Sequence, residues 1–217
     1  MQKDEGQPVR PASDFDRIAP NIAIWHDYDS TVKAELYSTC LGTPGGAYFI
    51  DPIPLQSEVF SELIGSNSVA GIIVTNSNHH RSLEKFAEQY SVPIFARGEA
   101  FPHKPPLQFR SVADGDKIYE ELIVIALEGA ADGEIALHYA PDGGTFIIGD
   151  VLINFEPYGF TFLPAKYCSN QKQMRRSLRK LLDYKAERIL FAHGTPILSD
   201  ASQKLRALLD SDRRMSR

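Results

Sequence analysis

Three apolar runs in this chain each end abruptly on a polar, metal-competent side chain. Residues 71–75, GIIVT, run into NSNHHR; residues 145–148, TFII, end on Gly149-Asp150; residues 188–191, RILF, end on Ala192-His193. A continuous apolar run of strand length, without alternation, is the pattern of a strand covered on both faces. Such strands require layers above and below the sheet, and α/β proteins place their chemistry at the carboxyl ends of strands like these.

The surrounding sequence supplies those layers. Residues 21–25, 34–40 and 47–50 read as strands, the last two separated by the turn-rich GTPGG of residues 42–46. A helix is predicted from Ser57, with Val59, Phe60, Leu63 and Ile64 on one face and Gly65 as its stop. After the run at 71–75, Leu83, Phe86, Ala87 and Tyr90 form one helical stripe, and a strand resumes over residues 92–95. That strand–helix–strand order implies parallel pairing. Residues 97–108 read as a connector and Asp114-Gly115-Asp116 as a turn. Strands follow over residues 122–127, 135–139 and 145–148, the last two joined by APDGG. Residues 149–164 read as irregular and aromatic, with Phe155, Tyr158, Phe160 and Phe162. A helix over residues 171–184 is capped by Asn170, with Gln173 at the capping-box position and Met174, Leu178, Leu181 and Leu182 buried. Ser199 opens a C-terminal helix with Ala201, Leu205, Leu208 and Leu209 inward. Two mixed β-sheets flanked by helices, a four-layer αββα sandwich, satisfy this order. A single doubly wound sheet is the alternative, disfavoured because hairpins open both halves. Residues 1–17 read as a polar tail and residues 18–217 as one domain.

Composition sets limits. The chain has 217 residues, 43% hydrophobic and 24% charged, values suited to one packed domain. A net charge of −5 argues against a nucleic-acid partner. No run approaches the ~18–20 apolar residues of a membrane span, and the polar N-terminus is not a secretory signal. A cytoplasmic location without membrane association is the expectation. Cys40 and Cys168 read as free thiols rather than a disulfide, and neither has metal-finger spacing. The sequence carries no phosphate-binding Gly-rich loop with Lys-Ser/Thr and no Gly-x-Ser-x-Gly elbow. The basic stretch KQMRRSLRK reads as a solvated helix face, and His26, His103 and His138 as surface or packing residues.

The polar strand ends resemble, in order and spacing over residues 21–199, those of the metallo-β-lactamase superfamily. The family places Thr-His-x-His-x-Asp-His after a buried strand, a His in a Gly-His-x-x-Gly turn, then a lone Asp and a closing Gly-His-Gly. Here Thr75 matches the opening Thr. Asn76 and Asn78 stand where the first two His belong, His80 where the Asp belongs, Arg81 where the next His belongs, and Ala130 in the turn GAADG. Only Asp150 and His193 keep the family ligand, and Asp51 resembles the structural acid after the family's early strand.

The resemblance implies a first metal site at Asn76, Asn78 and Ala130 and a second at His80, Arg81, Asp150 and His193. Neutral amides and an alanine cannot hold zinc in the first. In the second, His80, Asp150 and His193 form a three-ligand set with an open position, while Arg81 brings a fixed positive charge. The preferred reading is that the Arg81 guanidinium pairs with Asp150 in place of the metal; a single zinc, iron or manganese is the alternative. His79 falls on a variable position of the family motif, and a structural role, turned away from the pocket, is favoured over a ligand role. The pocket set is therefore Asn76, Asn78, His79, His80, Arg81, Asp150 and His193, with the aromatics of residues 155–162 as a wall or as core.

Three functions follow from that set. One is a relative of metal-dependent hydrolases that has lost the two-metal site and with it some or all activity, with a small-molecule ligand or a protein as partner. Another is a single-metal hydrolase using His80, Asp150 and His193 on a small molecule. The third is metal-free general-base chemistry by His80 or His193, for which the sequence shows no nucleophile. Substrate and oligomeric state leave no trace in the sequence.

Overall fold

A computed structural model describes residues 10–215. In chain order the first half holds β1 (Asp16–Ala19), β2 (Ile22–Asp29), β3 (Ala34–Thr43), β4 (Gly46–Ile50), α1 (Ser57–Ile64), β5 (Val69–Ile73), α2 (Leu83–Tyr90), β6 (Ile94–Ala96) and β7 (Phe109–Ser111). The second holds β8 (Lys117–Tyr119), β9 (Leu122–Ala126), β10 (Ile135–Tyr139), β11 (Thr145–Ile148), β12 (Leu152–Phe155), β13 (Gly159–Phe162), α3 (Gln171–Ser177), β14 (Arg188–Phe191) and α4 (Ala201–Met215). Strands β1 to β7 form one seven-stranded sheet in sequence order, antiparallel through β4 and parallel from β4 to β7. The other sheet has the order β14-β11-β10-β9-β8, antiparallel except that β11 and β14 run parallel.

Three cores explain the layering. Ile24, Leu41 and Ile73 of the first sheet meet Val124, Leu137, Ile147 and Leu190 of the second, so the two sheets pack face to face. Phe60, Leu63, Leu83 and Phe86 of α1 and α2 cover the outer face of the first sheet. Met174, Leu205 and Leu209 of α3 and α4 cover the outer face of the second. The unbroken apolar runs follow directly. In β5, Ile72 faces the helices and Ile73 the other sheet; in β11, Phe146 and Ile148 face out and Ile147 in; in β14, Ile189 and Phe191 face out and Leu190 in. Period-two alternation with both faces buried requires apolar residues throughout. The αββα architecture read from the sequence is the one observed.

Several local expectations change. Residues 149–164 are not irregular: β12 and β13 form a two-stranded hairpin with Leu152 opposite Phe162 and Phe155 opposite Gly159. The helix expected over 171–184 is α-helical only to Ser177 and tightens to a 3-10 turn over Leu178–Asp183. The Ser177 hydroxyl lies 2.9 Å from Met174 O and accepts the Glu128 N–H at 3.0 Å, a side-chain competition for main-chain groups that bends helices. Asn170 caps α3 by accepting the Gln173 N–H at 3.0 Å. Of the expected tail, residues 1–9 lie outside the described residues. Ala12 is buried, its N–H donates to Pro54 O at 3.0 Å, and β1 already begins at Asp16, so the chain joins the fold before residue 18. Cys40 and Cys168 are free thiols. Among the described residues, no helix is long and apolar enough to cross a membrane.

Candidate functional site

The carboxyl ends of β5, β11 and β14 come together although β5 belongs to a different sheet from the other two. After β5 the chain turns tightly: the His79 N–H donates to Asn76 O at 3.1 Å, the Leu83 N–H to His80 O at 2.7 Å, and Arg81 takes a left-handed φ of 41°. This turn brings His79 inward. Its Nε2 lies 3.1 Å from Asp150 Oδ1, and His193 Nε2 lies 3.3 Å from the same oxygen. One ligand atom from each of His79, Asp150 and His193 falls within 4.8 Å of the others.

Both imidazoles are fixed through their other nitrogen. Asp51, held at the end of β4 with a left-handed φ of 48°, accepts the Thr75 N–H at 2.8 Å on Oδ1. Its Oδ2 accepts the Thr75 hydroxyl at 2.5 Å and His79 Nδ1 at 2.8 Å. His193 Nδ1 donates to the main-chain oxygen of Glu35 at 3.3 Å, since a carbonyl can only accept. Each ring therefore turns Nε2 toward Asp150. For His79 the approach to Oδ1 is short but not directed as a hydrogen bond, and Nε2, fully buried, has no hydrogen-bond partner.

Burial opposes charge throughout this cluster, and the charges decide where it yields. At His79 burial pulls the pKa down, but the Asp150 and Asp51 carboxylates outweigh it and raise it to about 9. Burial likewise works against the Asp150 carboxylate; the His79 imidazolium and hydrogen bonding to His193 outweigh it and hold the pKa well below the carboxylate range. Burial lowers the pKa of His193. Without a cation, two carboxylates, Asp51 and Asp150, are matched by Arg81 and protonated His79.

The residues expected from the sequence divide. Asn78, His79, Asp150 and His193 surround one point, and Asn78 Nδ2 donates to Asp150 Oδ2 at 3.2 Å. His80, expected among the metal ligands, points elsewhere. Its ring stacks on Phe101 with centroids 4.6 Å apart, its Nε2 donates to Ala100 O at 2.8 Å, and it lines an open cleft of about 860 Å³ with Phe101 and Lys104. The turn at residues 76–81 puts His79 where His80 was expected, and the structural role away from the pocket falls to His80. Arg81 does not pair directly with Asp150. Its guanidinium donates to the main-chain oxygens of Tyr37 at 2.6 Å, Asp51 at 2.9 Å and Ala192 at 3.3 Å, tying β3, β4 and the β14 end together. Those carbonyls satisfy the guanidinium, leaving the Asp150 carboxylate to the two imidazoles and the Asn78 amide.

Glu134 went unnoticed in the sequence. It is wholly buried at the start of β10. Its Oε2 accepts Asn76 Nδ2 at 2.8 Å, and its Oε1 accepts the Asp150 N–H at 2.8 Å and the Val151 N–H at 3.4 Å. Burial, then the Asp150 charge, raises its pKa well above the usual carboxylate value. Gly149 makes room for it: a Cβ there would stand 2.6 Å from Glu134 Oε1 and 2.8 Å from Thr75 Oγ1. The available signal was an acid placed directly before the apolar run IALHY.

The donor set suits a divalent cation. Tetrahedral bonds of about 2.0–2.1 Å place neighbouring donors roughly 3.3 Å apart, close to the 3.1 and 3.3 Å found here. A histidine whose far nitrogen is held by a carboxylate or a carbonyl, with the near one unpartnered, is the usual arrangement of a metal-ligating imidazole. The sequence matches the metallo-β-lactamase superfamily over residues 16–212. No curated protein sequence matches the chain. Among solved structures it is similar to the DIM-1 metallo-β-lactamase, with a TM-score of 0.73, 14% identity, and coverage of 96% of this chain and 100% of that one. It is also similar to a metallo-β-lactamase family protein from Thermus thermophilus (TM-score 0.66, 19% identity, 91% of this chain and 81% of that one). A β-lactamase domain protein from Burkholderia ambifaria aligns with a TM-score of 0.67 at 16% identity, over 97% of this chain and 78% of that one.

Proposed function

Because the chain belongs to the metallo-β-lactamase superfamily, we propose that it is a hydrolase working with one divalent cation, held by His79, Asp150 and His193. The observation that carries this reading is His79: Nδ1 is anchored on Asp51 while the buried Nε2 faces Asp150 and His193 without a hydrogen bond. A cation bound there supplies Lewis-acid activation of water and of a scissile carbonyl or phosphoryl group. Two imidazoles and one carboxylate suit zinc, iron or manganese. Asp51 and Glu35 O fix the imidazole orientations, and exposed Asn78 offers an amide at the rim for a substrate oxygen. The β12–β13 hairpin continues from Asp150, and its Asn154 N–H contacts His193 O at 3.3 Å. Its exposed Phe155 and Tyr158 give a small-molecule substrate an apolar edge beside the site.

A second reading has its own support. The protonated His79 between Asp51 and Asp150, together with the nearby Arg81 guanidinium, balances both carboxylates, so the fold is electrostatically complete as a non-catalytic binding protein. Metal content decides between the two. Protein purified without chelator is expected to carry one equivalent of zinc, iron or manganese, to gain thermal stability from it, and to hydrolyse some member of a lactam, thioester, ester and phosphodiester panel. Sub-stoichiometric metal, with no stabilisation on adding any of the three, would leave the non-catalytic reading standing.

A further inference from the structure

We propose that Asn76, Asn78 and Glu134 are positioning residues for Asp150, a hydrogen-bonded clamp that presents Oδ1 alone to the cation. This rests on the one-cation reading. The clamp is a closed circuit. Glu134 Oε2 accepts Asn76 Nδ2 at 2.8 Å, Asn76 Oδ1 accepts the Asn78 N–H at 2.8 Å, Asn78 Nδ2 donates to Asp150 Oδ2 at 3.2 Å, and the Asp150 N–H returns to Glu134 Oε1 at 2.8 Å. The circuit grips Asp150 at both ends, its main-chain nitrogen and the far oxygen of its carboxylate. What lies outside the clamp is Oδ1, the oxygen that faces both His79 and His193.

Ordinary core packing does not account for these residues. Asn76 and Glu134 are each fully buried, where an apolar side chain would avoid the cost of desolvating an amide and a carboxyl. The hydrogen bonds Glu134 accepts come from Asn76, Asp150 and Val151, on the two loops that build the site. Gly149 completes the set, since any Cβ at that position would collide with Glu134 Oε1. Two of the clamp residues, Asn76 and Asn78, occupy sequence positions at which the family resemblance places histidines. A shell suited to holding an ion has become a shell that holds a ligand of the neighbouring ion. Buried networks with every member satisfied are rigid, and residues that orient a metal ligand commonly change affinity by about 10–100-fold when altered.

The test is a cobalt(II) titration of the full-length, metal-free protein, read by affinity and by the visible d–d spectrum, with the thermal midpoint of the metal-free protein measured alongside. Glu134→Gln keeps the shape but sets one amide donor against another, at Asn76 or at the Asp150 N–H. It is expected to lower cobalt affinity by about tenfold or more and to shift the d–d bands. The double variant Asn76→Asp with Glu134→Gln reverses the polarity of the broken contact and is expected to recover both affinity and spectrum. Asn78→Ala, at an exposed position, is expected to weaken and shift the spectrum in the same direction and serves if Glu134→Gln does not fold. A purely structural role would lower the thermal midpoint while leaving the affinity and spectrum of folded protein unchanged, and that result overturns the proposal. Failure of the double variant to recover overturns it as well. Wild-type protein that takes up no cobalt overturns the one-cation reading itself, whereas uptake with equal affinities in all variants overturns the clamp alone.

Discussion

On one side of Asp150 two imidazoles converge on Oδ1 at 3.1 and 3.3 Å; on the other, an amide and a buried acid hold Oδ2 and the main-chain N–H at 3.2 and 2.8 Å. The first side offers lone pairs to a cation. The second consists of hydrogen bonds that are already satisfied: Asn76 Oδ1 accepts the Asn78 N–H, and Asn78 Nδ2 donates to Asp150 Oδ2. The difference shows how the space around residues 76, 78 and 130 is filled without metal-ligating side chains. Ala130 packs into the core, and Glu134 and the two asparagines form one hydrogen-bonded network. The most direct way to break this contrast is to remove a ligand from the imidazole side. A structural site of about 10–16 kcal/mol shared among four ligands makes each worth roughly 3 kcal/mol, or on the order of 100-fold in affinity. Asp150→Asn and His79→Gln are each expected to lose at least that much in a calorimetric zinc titration. Unchanged affinity in either would show that the cation, if any, sits elsewhere.

Arg81 tests the same contrast from outside. From its type alone, a cation beside Asp150 reads as that carboxylate's partner. The structure gives it three main-chain carbonyls at 2.6–3.3 Å instead. Arg81→Met is therefore expected to cost about 3 kcal/mol of stability in chemical denaturation, since hydrogen bonds from charged groups are worth roughly 1.5–3 kcal/mol and the carbonyls lose their donor. Cation affinity should rise only a few-fold, through loss of a like charge. A large gain in affinity with stability intact would restore the direct Arg81–Asp150 pair.

How much of this was legible in the sequence depended on periodicity. Strands β5, β11 and β14 were readable because burial on both faces forces an unbroken apolar run, and α2 because Leu83, Phe86 and Ala87 repeat at helical spacing. The β12–β13 hairpin was not: its register is set by pairing Leu152 with Phe162, while Pro157 and Gly159 between them read as loop. At the site, the strand ends could be located but not the facing of the side chains beyond them. A turn has no period, and its direction here is fixed by Asp51, whose contacts with Thr75 and His79 span 24 and 28 residues of sequence. Glu134 was hidden for the same reason, since its partners Asn76 and Asp150 are brought to it only by the convergence of the sheets.

On the one-cation reading, proton and cation compete for the imidazole side, which makes its behaviour pH-dependent with opposite signs in the two states. His79 Nε2 must be bare to bind a cation, and its pKa is raised from 6.5 to about 9. Zinc affinity is therefore expected to climb about tenfold per pH unit from neutrality and to level off above about 9. For the metal-free protein the raised pKa means that the His79 contribution is complete below pH 6.5 and is lost as the pH rises through about 9. Thermal midpoints in chelator should fall across that window, and His79→Gln should flatten the fall. A flat wild-type profile would mean that His79 is not held between two carboxylates.

The smallest effect expected is at His80, and it separates the two histidines most cleanly. They are adjacent in sequence, and by the family spacing His80 stands at the ligand position. Its ring instead lies flat against Phe101 with an interplanar angle of 11°, and Nε2 is already committed to Ala100 O. Replacing it removes one partly exposed stacking contact, worth about 0.5–1.5 kcal/mol in stability, and no ligand. His80→Gln should thus change zinc affinity by less than about threefold, where His79→Gln loses on the order of 100-fold, since second-sphere changes that matter begin near tenfold. The comparison needs only the two single variants under one titration protocol. A reversal, with His80 essential and His79 dispensable, would mean that the turn after β5 is wound the other way in solution and that the ligand set is the one the sequence spacing implied.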